Sequence, residues 1–168
     1  MRPARQTIEA MTTQANEHPP EELDERFESD IEDDETGNRQ VLVDASNVAH
    51  ATEGGEAKLG NIDLVQEKLR EAGFEPIIVA DAALRHQIDR RADYEKLVDD
   101  GKVHQAPAGT DADYFILSFA REMGARILTN DRFRDRAEEF AAERNRIIRY
   151  MIVKDEVVLE HRNRRRKG

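Results

Sequence analysis

The sequence predicts an α/β domain, with a central, mainly parallel sheet flanked by helices and a closing pair of C-terminal strands. Two patterns carry that prediction. Short continuous apolar runs at Val41-Leu42-Val43, Ile77-Ile78-Val79 and Ile127-Leu128 have the character of strands buried on both faces. They alternate with stretches of helical spacing that stop at Gly73, Gly101 and Gly124, an order that fits right-handed crossovers between parallel strands.

Residues 1–38 read as an acidic, disordered tail. Residues 1–40 hold 12 acids against 4 bases, and so polar a segment cannot bury enough apolar surface to offset its ordering entropy. The folded domain is expected over 39–160, followed by a basic tail over 161–168. Its first strand runs into Asp44, with Ser46 and Asn47 close behind, and a Gly-rich loop follows at 53–60. Asn61 is the expected N-cap of a helix that presents Ile62, Val65, Leu69 and Ala72 on one face and ends at Gly73. A second buried strand is expected at 75–80, a charged helix at 83–100 and a short third strand at 102–105. Asp111 opens a helix over 112–123 whose core stripe is Phe115, Ile116, Phe119 and Ala120. A fourth strand at 126–129 leads into Asn130-Asp131. A charged helix at 134–144 and two strands, 145–154 and 156–160, complete the order, with Asp155 near the bend.

Composition narrows the function. The 168 residues suffice for one domain with tails, and 36 acids against 26 bases give a formal net charge of −10. Such a surface argues against a general nucleic-acid coat protein, which needs clustered Lys and Arg, but leaves open an enzyme with a locally basic groove. Cys is absent, which excludes a disulfide framework and a Cys-type zinc site. No apolar run approaches the roughly 20 residues that span a bilayer, and the N-terminus lacks an apolar leader. The expectation is a cytoplasmic protein with no membrane partner. Acid excess, Arg preferred over Lys and no Cys also fit a salt-rich cytosol.

The acids at strand ends carry the chemistry. Asp44 ends the first strand, at the carboxyl edge where open α/β sheets bind ligands. A carboxylate there is costly to bury without a cation or hydrogen bonds, which makes it a candidate metal ligand. Asp111 and Asp113 start the helix after the third strand, Asp131 follows the fourth, and Asp135 lies on the same face if that turn is helical. With the first and fourth strands central, these positions converge on one rim. Carboxylates gathered without cations repel, and Mg²⁺ or Mn²⁺ is the natural neutraliser of an oxygen-only set. Such an ion acidifies a bound water for attack on a phosphodiester.

Three blocks, in order, then resemble a family: Val-Asp-Ala-Ser-Asn-Val-Ala at 43–49, Asp-Ala-Asp-Tyr-Phe-Ile-Leu at 111–117 and Thr-Asn-Asp-Arg-Phe-Arg-Asp at 129–135. They look like the signature blocks of the NYN/PIN-like ribonucleases, of the Regnase (MCPIP, zinc-finger CCCH-type ribonuclease) family, over roughly residues 41–159. The resemblance implies a PIN-like Rossmannoid sheet and metal-dependent endonucleolytic cleavage of RNA, in single-stranded or loop regions. It implies Asp44, Asp113 and Asp131 as the metal-binding acids, Asp135 as an outer member and Asn47 as the active-site asparagine. Pairing into a homodimer is left open.

Two departures stand out. The family pattern has adjacent acids in its middle block, whereas Ala112 separates Asp111 from Asp113, so Asp111 is either a ligand or the helix cap. The cysteine-rich zinc finger is also missing. Arg85, Arg90, Arg91, Arg132 and Arg134, and in the basic tail Arg162, Arg164 and Arg165, are candidates to grip RNA, against a salt-bridged helix surface as the alternative. Two other readings remain: a catalytically weak or inactive RNA-binding module, or another Mg²⁺-dependent phosphotransfer domain. Against the latter, Ser46 rather than a second acid stands two residues after Asp44, unlike haloacid dehalogenases, and Thr129-Asn-Asp replaces the late Lys of receiver domains.

Overall fold

The computed structural model describes residues 38–160. The acidic stretch through residue 37, and the basic tail from residue 161 with Arg162, Arg164 and Arg165, lie outside the described residues. In chain order the elements are β1 (Gln40–Asp44), α1 (Ala45–Ala49), α2 (Leu59–Glu71), β2 (Glu75–Ala80), α3 (Leu84–Gln87), α4 (Arg91–Asp99), β3 (Val103–Gln105) and α5 (Ala112–Met123). There follow β4 (Arg126–Leu128), a 3₁₀ turn (Arg134–Arg136), α6 (Ala141–Arg144), β5 (Ile147–Ile148), β6 (Tyr150–Val153) and β7 (Glu156–Leu159).

Five strands form one sheet in the order β3-β2-β1-β4-β5, and each neighbouring pair is parallel. β6 and β7 pair antiparallel as a separate hairpin. Central placement explains the apolar run of β1: Val41, Leu42 and Val43 are fully buried. Alternation sends Val41 and Val43 into a core with Ile62, Val65 and Leu69 of α2, while Leu42 joins Ile116, Leu117 and Ala120 of α5 on the other side. Each such side chain contributes about 1.5–3 kcal/mol by leaving water. The chain reverses direction in strand order between β1 and β4, and at that switch point a parallel sheet opens a crevice at its carboxyl edge. Among the described residues no helix is long and apolar enough to cross a membrane.

Several local expectations are corrected by contacts between distant residues. α1, which no apolar periodicity announces, is a single short helix that Asp44 caps. α2 begins before Asn61, which is buried and donates its side-chain amide to the carbonyls of Val48 (3.3 Å) and Ala49 (3.0 Å). The first amide of α2 is met from afar instead, by Asp89 Oδ1 at 2.7 Å from Leu59 N. Reaching that position breaks the expected 83–100 helix into α3 and α4, with Arg90 left-handed at φ 49°. The expected 134–144 helix is only the 3₁₀ turn and α6; Phe140, which lies between them in a non-helical conformation, is drawn into the core. The expected 145–154 strand is two strands in different sheets, with Arg149 at the corner between them.

Candidate active site

Asp44 is the last residue of β1 and the N-cap of α1, so its carboxylate faces the crevice edge while held by the chain that follows. Its Oδ1 accepts from Asn47 N at 3.3 Å, and its Oδ2 accepts from Thr129 Oγ1 at 2.9 Å. Burial, reinforced by the charges of Asp113 and Asp131, outweighs these hydrogen bonds and pushes the Asp44 carboxyl up to about 6. Thr129 is fully buried; its hydroxyl also accepts from Asp131 N at 3.1 Å, so one side chain ties the end of β1 to the loop after β4.

Asn47 reaches that loop too. Its Oδ1 accepts from Asn130 N (3.0 Å) and from the Tyr150 hydroxyl (2.7 Å). Burial, with the Asp44 charge nearby, raises the Tyr150 phenol and keeps it a donor. Asp131 folds its own loop, accepting from Phe133 N at 2.8 Å. Asp113 stands exposed in the first turn of α5, its carboxylate without a hydrogen-bond or ion-pair partner among the described residues; partial burial and the neighbouring charge of Asp131 raise its carboxyl.

These three acids line one cleft of about 230 Å³, together with Asn47, Asp81 and Phe115. Asp44, Asp113 and Asp131 thus come together from the end of β1, the start of α5 and the exit of β4. None forms a salt bridge with Lys or Arg among the described residues. No group of three or more acidic or imidazole side chains there closes into a ready-made ion cage.

The outer acids part company with them. Asp111 is the cap of α5, accepting from Asp113 N (3.0 Å) and Tyr114 N (3.3 Å), and it is ion-paired with Arg136, which holds its carboxyl below the usual range. It lies outside the cleft lining. Of the two roles the sequence left open for Asp111, the geometry supplies the cap. Asp135 is exposed on the 3₁₀ turn and reaches the cleft only through its charge, which raises Asp113; the helical face expected to align it with Asp131 does not form.

Of the candidate RNA-gripping residues, Arg85 and Arg91 share Glu95, each at 3.1 Å, and Arg90 pairs with Asp93 at 3.1 Å. Arg132 and Arg134 are exposed and carry no acidic partner among the described residues. Thr129, Tyr150 and Asp81 were missed as site residues. Asp81, directly after β2 as Asp44 is directly after β1, accepts from Ser46 Oγ at 2.8 Å and caps Leu84 N at 2.8 Å. The repeated acid after a buried strand was a visible signal for Asp81. Nothing local marks Tyr150, which lies 103 residues from Asn47.

A family model described as the Zc3h12a-like Ribonuclease NYN domain matches residues 37–168. The chain belongs to this ribonuclease family. Within an NYN ribonuclease domain the parallel sheet and the closing hairpin are the expected architecture. Two solved structures of nuclear protein-only RNase P 2 (PRORP2) from Arabidopsis thaliana share the fold, both at a TM-score of 0.59, with 21% and 20% identity. They cover 93% of this chain, which spans only 36% and 35% of theirs, about a third of that protein. No curated protein sequence matches the chain.

Proposed function

We propose that this NYN domain is a Mg²⁺- or Mn²⁺-dependent endoribonuclease that hydrolyses phosphodiester bonds in single-stranded or loop RNA. One observation carries the reading: four carboxylates from separate stretches of the chain, Asp44, Asp81, Asp113 and Asp131, line one cleft, and none pairs with a Lys or Arg among the described residues. Their all-oxygen donor set suits a hard divalent ion, and Mg²⁺ needs only one or two carboxylates because it keeps several waters, so the absence of a closed three-residue cage is compatible with it. Asp44, Asp113 and Asp131 would hold the ion. When bound, it supplies an acidified water and offsets charge on the phosphoryl oxygens.

The protein's own contribution is position. Thr129 fixes one oxygen of Asp44 and the backbone of Asp131 together, and Asn47 is clamped by Asn130 N and Tyr150. Rigid placement of this kind spares the reacting groups the cost of being oriented. Asp135 adds negative charge from the rim, and Asp111 stabilises α5 and so the placement of Asp113.

A short labelled RNA incubated with Mn²⁺ and resolved on a denaturing gel tests this. Wild type is expected to produce internal cuts, and Asp44→Asn to lose them by about 100-fold or more while still binding RNA. A second reading, a catalytically weak RNA-binding module, is favoured by Ala112, which lines the cleft where the family pattern carries an adjacent second acid. Binding without cleavage by both proteins would establish it.

A further inference from the structure

Arg132, next in sequence to Asp131, lines a second cavity of about 210 Å³ together with Ala141, Arg144, Asn145, Ile147 and Arg149. No acid lines it. Two of its arginines also build the loop: Arg149 Nη1 donates to the carbonyls of Asp131 (3.0 Å) and Thr129 (3.4 Å), and Arg144 Nε donates to the carbonyl of Arg132 (3.0 Å). In a chain of net charge −10, Arg85, Arg90, Arg91, Arg121, Arg136 and Arg146 are each paired with a carboxylate. Arg132 and Arg144 have no such partner among the described residues.

The guanidinium groups of Arg132 and Arg144, like-charged on one small cavity and without a carboxylate partner among the described residues, repel unless an anion sits between them. The planar donors of Arg132 and Arg144 match the oxygens of a phosphate. The same short loop places Asp131 on the acidic cleft and Arg132 on the basic cavity. A single strand crossing this loop therefore meets both the acids and the arginines.

We propose that the Arg132–Arg144–Arg149 cavity is a phosphate subsite, which seats a phosphate of the RNA strand beside the one held at the acidic cleft. The inference rests on the nuclease reading for the identity of the strand. Its ligand chemistry is a phosphate group, either internal to the strand or a 5′-terminal monophosphate.

Fluorescence anisotropy with a short labelled oligouridylate, in EDTA and across a salt series, tests it. The Arg132→Ala/Arg144→Ala protein should bind about tenfold more weakly, and its plot of log affinity against log salt should lose about 0.7 of slope for each phosphate contact removed. Arg132→Ala alone, whose side chain makes no hydrogen bond or ion pair among the described residues, should show a smaller loss in the same direction and covers the case in which the double variant does not fold. Arg70→Ala, on an exposed α2 residue without an ion pair among the described residues, removes the same charge elsewhere and should stay within about twofold of wild type. Loss with 5′-hydroxyl and 5′-phosphate RNA alike identifies an internal phosphate, and loss confined to the phosphorylated strand identifies the terminal one. Wild-type affinity and slope in both cavity variants, or an equal loss in Arg70→Ala, overturns the proposal. Cavity-dependent binding by a wild type that makes no cut with Mn²⁺ removes the nuclease reading and leaves the subsite; normal cutting with cavity-independent binding does the reverse.

Discussion

Asp44 and Glu143 are both carboxylates withdrawn from water, and the protein treats them in opposite ways. Glu143, 3% exposed on α6, receives Arg121 Nε at 2.9 Å and Nη2 at 3.2 Å, with Arg146 at 3.7 Å. Burial pushes its carboxyl up, yet these cations more than compensate and hold it below the ordinary value. Asp44 receives only neutral donors, Asn47 N and the Thr129 hydroxyl, and is pushed up to about 6. A structural acid is given its counter-charge by the fold. At Asp44 the fold withholds one and adds the charges of Asp113 and Asp131 instead, which costs stability.

The largest effect that would sharpen this contrast is at Asp44. A raised carboxyl means that the folded protein holds a proton the unfolded chain has released. The stability tied to that proton is fully present below pH 3.8 and is lost as pH rises through about 6. Asp44→Asn is therefore expected to match wild type near pH 4 and, free of metal, to exceed it by up to about 3 kcal/mol at pH 7. Urea unfolding in EDTA at the two pH values measures this. Adding Mg²⁺ should raise the Tm of wild type and leave that of Asp44→Asn nearly unmoved. A variant no more stable than wild type at pH 7 would break the comparison.

Glu143 should behave in the opposite sense. Glu143→Gln keeps the shape but takes the charge from under Arg121, and is expected to cost about 1–2 kcal/mol in urea unfolding. Its cleavage rate, measured at a temperature where both proteins are folded, should stay within a few-fold of wild type, because Glu143 lies outside the acidic cleft.

The same contrast marks how far the sequence could be read. Val41-Leu42-Val43 running into Asp44 announces a central buried strand and an acid at its carboxyl edge, because both features are local. Asp113 and Asp131 follow from the alternation of strands and helices, which sets the edge each one occupies. What the residues could not reveal depends on meetings between distant segments. Asp89 abandons a helix to cap Leu59, Arg149 turns a strand out of the sheet to brace the Asp131 loop, and Tyr150 supports Asn47 across 103 residues. The pairing of Asp111 with Arg136 is likewise invisible until the 3₁₀ turn forms, which is why cap and ligand could not be told apart by spacing alone.

Thr129 offers the finest adjustment. Its hydroxyl is the only side-chain hydrogen bond on the Asp44 carboxylate within the described residues, and it lowers a carboxyl that burial raises. Thr129→Val keeps the β-branched shape while removing that donor and the acceptor for Asp131 N. Asp44 should then titrate still higher. The pH at which cleavage reaches half its maximum should move upward with it, and saturating Mn²⁺ should recover part of the rate at neutral pH. Loss of two hydrogen bonds at a buried site should cost about 1–3 kcal/mol in unfolding. Unlike Asp44→Asn, this variant retains the acid, so its phenotype lies in the pH profile. An unshifted profile would mean that Thr129 merely fills space and that burial alone sets the state of Asp44.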